Sequence, residues 1–153
     1  MDKCLVNIPN PVDTSLYRPL PNQNEIREKY GVYSEKKIIL FGAVNSLKDK
    51  NKGYQYLLKA LELLSEEEYM AVIFGNKGTS DMIDSKLETK LLGFVEKEQE
   101  LAQIYYMADV FVAPSEQDNY PNSVLEALSC GVPVTAFNIG GMPELIEHKK
   151  AVI

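Results

Sequence analysis

A chain of 153 residues is the size of one domain, and 45% hydrophobic content is enough for it to bury its own core. Its 16 basic and 22 acidic residues sum to −6; that sign excludes a general nucleic-acid binder but leaves room for a local basic pocket that takes a phosphate. No apolar run reaches the ~18 residues of a membrane helix, no signal-peptide pattern opens the chain, and a single histidine, His148, excludes a site built on several imidazole ligands.

The two cysteines, Cys4 and Cys130, have neither metal spacing nor a disulfide framework, which fits a reducing, cytoplasmic setting. No G-x-S-x-G elbow accompanies His148, so nucleophilic triad chemistry has no anchor.

In chain order, Pro9, Pro11, Pro19 and Pro21 forbid a continuous helix, so residues 1–22 read as an extended connector. Residues 23–30 predict a short helix stopped by Gly31. The apolar run 38–41 predicts a strand buried on both faces, followed by a Gly-, Asn- and Lys-rich loop over 42–53. Leu57, Leu58, Leu61 and Leu64 form one helical stripe. Residues 71–74 predict the second strand, 81–87 a short helix and 91–95 a third strand. Leu101, Ile104, Tyr105 and Ala108 form a further helical stripe, with Tyr105 and Tyr106 read as packing residues. Residues 110–113 predict a strand ended by Pro114. A helix over 122–130 follows, with Pro121 in its first turn and Gly131 beyond its end. Residues 132–137 predict a fifth strand, 142–148 a short helix, and 151–153 the opening of another strand.

Short apolar strands alternating with amphipathic helices imply parallel βαβ units. The expected fold is α/β: a Rossmann-like, doubly wound parallel sheet with helices on both faces and right-handed crossovers. A chain that stops inside a strand signal is expected to be a piece of a longer protein.

Ligands of such sheets bind at the carboxyl ends of the strands, which directs attention to the five loops there. Residues 114–126 are the most informative. The backbone N–H groups from Asn119 through Tyr120 and Asn122 to Ser123 are expected as helix-start donors that attract phosphate. Asp118 lies just before the helix and Glu126 about a turn and a half inside it. Carboxylates of this kind accept hydrogen bonds from vicinal hydroxyls; the plainer readings are a loop cap for Asp118 and a solvated helix residue for Glu126. Glu126 neighbours Val124, Leu125 and Leu128, so an inward orientation is open to it, and an inward carboxylate needs a partner. In the loop 42–53, Lys48, Lys50 and Lys52 crowd an otherwise acidic chain, and Lys52 stands where a diphosphate would lie. The plainer reading is a solvated loop, and neither a Walker A motif nor G-x-G-x-x-G is present. Gly93, Phe94 and Val95 offer backbone groups and an aromatic face to a nucleobase, with Phe94 as a core residue the bland alternative. Gly140 and Gly141 suit a close backbone approach or a turn, and His148 a solvent-facing position.

These segments, in this order, resemble the C-terminal, donor-binding domain of GT-B glycosyltransferases of the retaining family 4 type. NIPNPVDTSLYRP is similar to the family's lead into its second domain. KIILFGAV with Lys52-Gly53 is similar to its first strand and following K-G. LLGFV…LAQIYYMADVFVAPS and VLEALSCGVPVTAFNIGGMPELIE are similar to its later blocks. The resemblance implies residues 1–22 as interdomain connector and 23–153 as the donor-binding domain, with an N-terminal acceptor domain elsewhere in the whole protein. It places the family's E-x7-E pair on Asp118 and Glu126, seven residues apart in between. Asp118 would then contact the donor sugar, Glu126 the ribose, and Asn119, Tyr120, Asn122 and Ser123 the sugar and phosphates. Lys52 would neutralise the diphosphate, and Gly93, Phe94 and Val95 would hold the base.

Two departures stand out: the first acid is Asp rather than Glu, and Gly42-Ala43 replaces the family's Gly-Arg. Either Lys48 or Lys50 supplies the missing charge, or the donor diphosphate is bound in a different arrangement. The implied reaction transfers a sugar from a nucleoside diphosphate sugar, UDP being the leading carrier, with retention, for polysaccharide or glycolipid synthesis. The implied partners are the nucleotide-sugar donor and the acceptor domain, with no nucleic acid, no resident cofactor and no metal. The whole enzyme would work in the cytoplasm, peripheral to the inner membrane face, and this part alone would transfer nothing. Three other readings are a catalytically inert nucleotide-sugar-binding or interaction module, half of a nucleotide-sugar epimerase, and a flavodoxin-like regulator. The epimerase is disfavoured by the acid spacing. The regulator is disfavoured by the lack of an acidic cluster after the first strand.

Overall fold

The computed structural model describes residues 10–32, 35–42, 49–75, 83 and 85–146. Five strands, β1 (Lys37–Gly42), β2 (Tyr69–Phe74), β3 (Thr89–Gly93), β4 (Val110–Ala113) and β5 (Val134–Ala136), form one sheet in the order β3-β2-β1-β4-β5. Every neighbouring pair is parallel. The helices are α1 (Gln23–Lys29), α2 (Tyr54–Leu61), α3 (Glu98–Tyr106), α4 (Asn122–Ser129) and α5 (Met142–Leu145). The expected α/β, Rossmann-like sheet is therefore what the chain forms.

Period-two alternation divides the core. Ile38, Leu40, Met70, Val72 and Phe74 face one side, where Ala102, Ile104 and Tyr105 of α3 and Val124 and Ala127 of α4 cover them. Ile39, Phe41, Ala71 and Ile73 face the other, under Leu57 and Leu61 of α2. Both faces of β1 and β2 are thus buried, as their unbroken apolar runs require.

The edge strands depart from expectation. β3 runs over Thr89–Gly93 rather than 91–95, because the backbone leaves the extended region at Gly93 (φ 70) and β3 pairs on one side only. β5 is shorter than 132–137; Pro133 contributes only its carbonyl, which accepts from the Phe111 N–H at 2.9 Å. α2 ends at Leu61, so Leu64 packs on the core from a turn. α4 ends at Ser129, and α5 at Leu145, where Ile146 is extended. The helix expected over 81–87 is not formed at its described positions. The strand expected over 151–153, His148, Cys4 and the loop bearing Ala43 and Lys48 lie outside the described residues. Within 10–22 there is neither helix nor strand, yet Tyr17 is buried, its ring edge-on to that of Tyr105 at 6.2 Å.

A partly buried ion pair, with Arg27 buried and Asp109 at its edge, fastens the starts of β1 and β4. Arg27 of α1 donates from Nε to the Met107 carbonyl (2.8 Å) and from Nη2 to Asp109 Oδ2 (2.9 Å). The same oxygen accepts the Ile38 N–H at 2.7 Å, and the Asp109 N–H returns to the Ile38 carbonyl. Removing one partner strands a buried guanidinium and an orphaned amide. We predict that Asp109→Ala destabilises the chain by about 3 kcal/mol, read from the urea midpoint. A loss within experimental error would show the pair to be dispensable.

Candidate functional site

The strand order reverses direction between β1 and β4: the chain leaves β1 toward β2 and returns from β3 to β4 on the other side. The loops after these two strands therefore face each other across the crevice at the strand ends. On the β1 side, Asp49 caps a short 3-10 turn, Lys50–Lys52, by accepting the Asn51 N–H at 3.0 Å. Gly53 follows at φ 69, and a Cβ there would stand 1.7 Å from the Pro114 carbonyl oxygen. Only glycine permits that approach. The Glu116 N–H donates to the Asn51 carbonyl at 2.8 Å, sewing the turn to the loop after β4.

This clamp brings together two of the expected residues. Lys52 Nζ lies 2.9 Å from Asp118 Oδ2, both side chains mostly buried. A cavity of about 20 Å³, lined in part by Gly42, Lys52, Ser115, Asp118, Ser123 and Met142, sits between them and the first turn of α4. Gly140 and Gly141 lie against the backbone of the loop that carries Asp118. A Cβ on the first would meet the Asp118 carbonyl at 2.0 Å, and on the second the Asn119 carbonyl at 1.9 Å.

The helix-start donors are fewer than expected. α4 begins at Asn122, so Asn119 and Tyr120 lie in the loop before it and Pro121 has no N–H. The first-turn amides of Asn122 and Ser123 face this end of the helix. The side chain of Asn122 accepts from Asn10 Nδ2 at 3.0 Å, and the same donor lies 3.4 Å from the Tyr120 carbonyl.

Glu126 is not on the cavity wall. Its carboxylate points at α3, where Oε2 accepts the Tyr105 hydroxyl at 2.8 Å. Burial pushes the Glu126 carboxyl up, the Tyr105 hydrogen bond pulls it down, and the charge of Glu98 pushes it up again. Tyr105 is thus more than packing, the one role expected for it. Burial and then Glu126 push the Cys130 thiol up to about 12, which leaves it inert as a nucleophile. Gly93, Phe94 and Val95 lie at the end of β3, three strand positions from β4, about 14 Å at the usual strand spacing. Val95 packs on the core while Phe94 is exposed, so Phe94 is not a core residue. Lys50 is exposed. Among the described residues, no cluster of three or more His, Cys, Asp or Glu is placed to hold a metal, and no helix is long and apolar enough to cross a membrane.

Sequence reasoning also missed Glu116. It accepts the Tyr56 hydroxyl at the crevice rim, where Tyr56 meets Phe137 edge-on at 5.4 Å. No spacing rule links these three positions.

A parallel sheet whose strand order reverses between β1 and β4, with polar side chains gathered at that point, has its ligand crevice there. Residues 35–153 match the family described as Glycosyl transferases group 1, and the chain belongs to that family. An uncharacterized glycosyltransferase of Methanocaldococcus jannaschii is 30% identical over 96% of this chain and 39% of its own length. The N-acetyl-alpha-D-glucosaminyl L-malate synthase of Bacillus anthracis is 25% identical over 83% and 34%. The chain thus spans less than two-fifths of the length of these curated relatives. The fold is shared with the HepE protein of Anabaena in complex with UDP-glucose. That structure has a TM-score of 0.73 and 23% identity, over 90% of this chain and 39% of that one. It is shared also with the C-terminal domain of a glycosyl transferase group 1 family protein of Francisella tularensis. Here the TM-score is 0.70 and the identity 22%, over 90% and 76%.

Gly141 has an ordinary φ of −86, so the cost of a methyl there comes from its neighbours, the Asn119 carbonyl at 1.9 Å first and the Tyr120 ring at 3.1 Å second. Gly141→Ala is expected to cost about 1–3 kcal/mol, measured from urea midpoints. An unchanged midpoint would mean that the loop after β5 does not hold the Asp118 loop in place.

Proposed function

We propose that this chain is the donor-binding half of a retaining glycosyltransferase, the C-terminal half of a GT-B enzyme. Residues 1–22 would be its connector and 23–153 its donor domain, with the acceptor site and the rest of the catalytic apparatus in an N-terminal domain. The observation that carries the reading is the Lys52–Asp118 pair at the β1/β4 reversal, beside the first turn of α4. In the donor complex Lys52 exchanges Asp118 for the diphosphate and, with the amides of Asn122 and Ser123, stabilises the departing charge. Asp118, released, accepts hydrogen bonds from the sugar hydroxyls while positive charge builds at the anomeric carbon. Asn119 and Tyr120 line the sugar and phosphates. Glu126 takes the ribose, and Gly93, Phe94 and Val95 take the base at the far end of the sheet. A nucleotide laid from β4 to β3 across the strand ends spans these groups.

UDP is the favoured carrier, in keeping with the UDP-glucose held by the Anabaena protein. No resident cofactor is needed, since the nucleotide sugar is the substrate. The products would be polysaccharide or glycolipid, made at the cytoplasmic face of the membrane by the whole enzyme. A second reading, an inert nucleotide-sugar-binding module, draws support from the shorter acid at 118, held in an ion pair with Lys52.

In the full-length protein, Lys52→Met and Asp118→Ala are each expected to lower kcat/KM for sugar transfer roughly 100- to 1,000-fold. Lys52→Met should also weaken UDP binding, whereas Asp118→Ala should leave UDP bound and lose the sugar contribution. Steady-state kinetics and calorimetry separate the two readings. A parent protein that binds nucleotide sugar without transferring it is the inert module, and full activity in both variants ends the enzyme reading of this pair.

A further inference from the structure

Among the described residues Tyr105 is the largest fully buried side chain of the core, and its ring is held from three sides. Tyr17 meets it edge-on at 6.2 Å, Phe74 at 5.6 Å and Phe111 at 5.4 Å. An aromatic ring boxed in this way cannot swing, so its hydroxyl has a fixed position. That hydroxyl donates to Glu126 Oε2, 2.8 Å away on α4. Among the described residues, no hydrogen bond reaches the other oxygen, Oε1. A phenylalanine would fill the same volume; the hydroxyl adds only the hold on the carboxylate.

We propose that Tyr105 is a positioning residue for donor binding: its fixed hydroxyl takes up one oxygen of Glu126 and leaves the other presented to the vicinal hydroxyls of the nucleotide's ribose. The proposal rests on the reading of Glu126 as the ribose carboxylate. A carboxylate that must accept two hydroxyls gains from having its plane fixed beforehand. The hydrogen bond also works against the surroundings. Burial and the Glu98 carboxylate at the start of α3 favour the protonated form of Glu126, and the Tyr105 hydroxyl favours the charged one. Among the described residues, the other titratable groups facing the site are Tyr17, from the segment before α1, and Cys130, at the end of α4; both are held neutral. Without the hydroxyl, Glu126 gives up its charge at higher pH, and the ribose loses its acceptor there.

The test compares the 153-residue chain with Tyr105→Phe, Glu126→Gln and the double variant. Carboxyl ¹³C NMR follows the Glu126 titration without any ligand, and Tyr105→Phe is expected to move its midpoint to higher pH. Calorimetric titrations use UDP and, as a probe with no ribose, inorganic pyrophosphate. Tyr105→Phe should weaken UDP roughly tenfold near neutrality, move the acid limb of binding to higher pH, leave pyrophosphate unchanged and add nothing to Glu126→Gln. Fluorotyrosine at position 105, a stronger donor in the same ring, keeps the question open to test if the phenylalanine variant does not fold. It should move the carboxyl midpoint the opposite way. An unmoved midpoint, additive losses in the double variant, or equal losses of UDP and pyrophosphate would each overturn the proposal. If Glu126→Gln binds UDP as the parent does, the ribose reading itself has failed and the proposal with it. The ligand-free midpoint then still reports whether Tyr105 holds the carboxylate.

Discussion

The approach of Gly53 to the Pro114 carbonyl is the constraint on which the crevice depends. It sets the distance between the loops after β1 and β4 at van der Waals contact. The hydrogen bond from the Glu116 amide to the Asn51 carbonyl follows from that closeness, and so does the meeting of Lys52 with Asp118. The site is therefore held by backbone geometry, with the charges placed on top of it. Long side chains alone would lose entropy to reach one another across an open crevice. Here the main chain has already brought their attachment points together. Gly140 and Gly141 repeat the device from the β5 side, where missing side chains let a third loop lie directly on the carbonyls of Asp118 and Asn119.

Away from the crevice, the sheet ends are held differently. Asp109 gathers the Ile38 amide and the Arg27 guanidinium at the amino ends of β1 and β4. The same two strands are thus fixed at one end by a partly buried charge pair and at the other by close backbone contact. Such a frame suits a binding site on strand ends, because the loops move only as far as their strands allow.

The sequence was most legible where burial was complete. β1 and β2 lie inside the sheet and carry unbroken apolar runs, so their positions could be read to within a few residues. β3 and β5 are edge strands; Thr89 and Lys90 open β3 without an apolar signal, and the run 91–95 points two residues too far. At the site, Lys52 and Asp118 are separated by 66 positions, and only a fold already known brings them together on paper. The partner that an inward Glu126 requires was foreseeable in principle, since a tyrosine on an apolar stripe also needs somewhere to put its hydroxyl. Each half of that pair was visible alone, but their pairing needed the α3–α4 contact. Asn119 and Tyr120 were placed at a helix start because proline favours the first turn, but here Pro121 occupies the cap itself.

Asn10 adds a consequence of its own. Its amide is tied to Asn122 and Tyr120, at the mouth of α4, while Tyr17, a few residues on, is wedged under Tyr105. The backbone between these two fastenings is short and rich in turns about Asp13. The stretch from Asn10 to Tyr17 therefore gives the loop before α4 and the aromatic core around Tyr105 a shared fastening through one short length of chain.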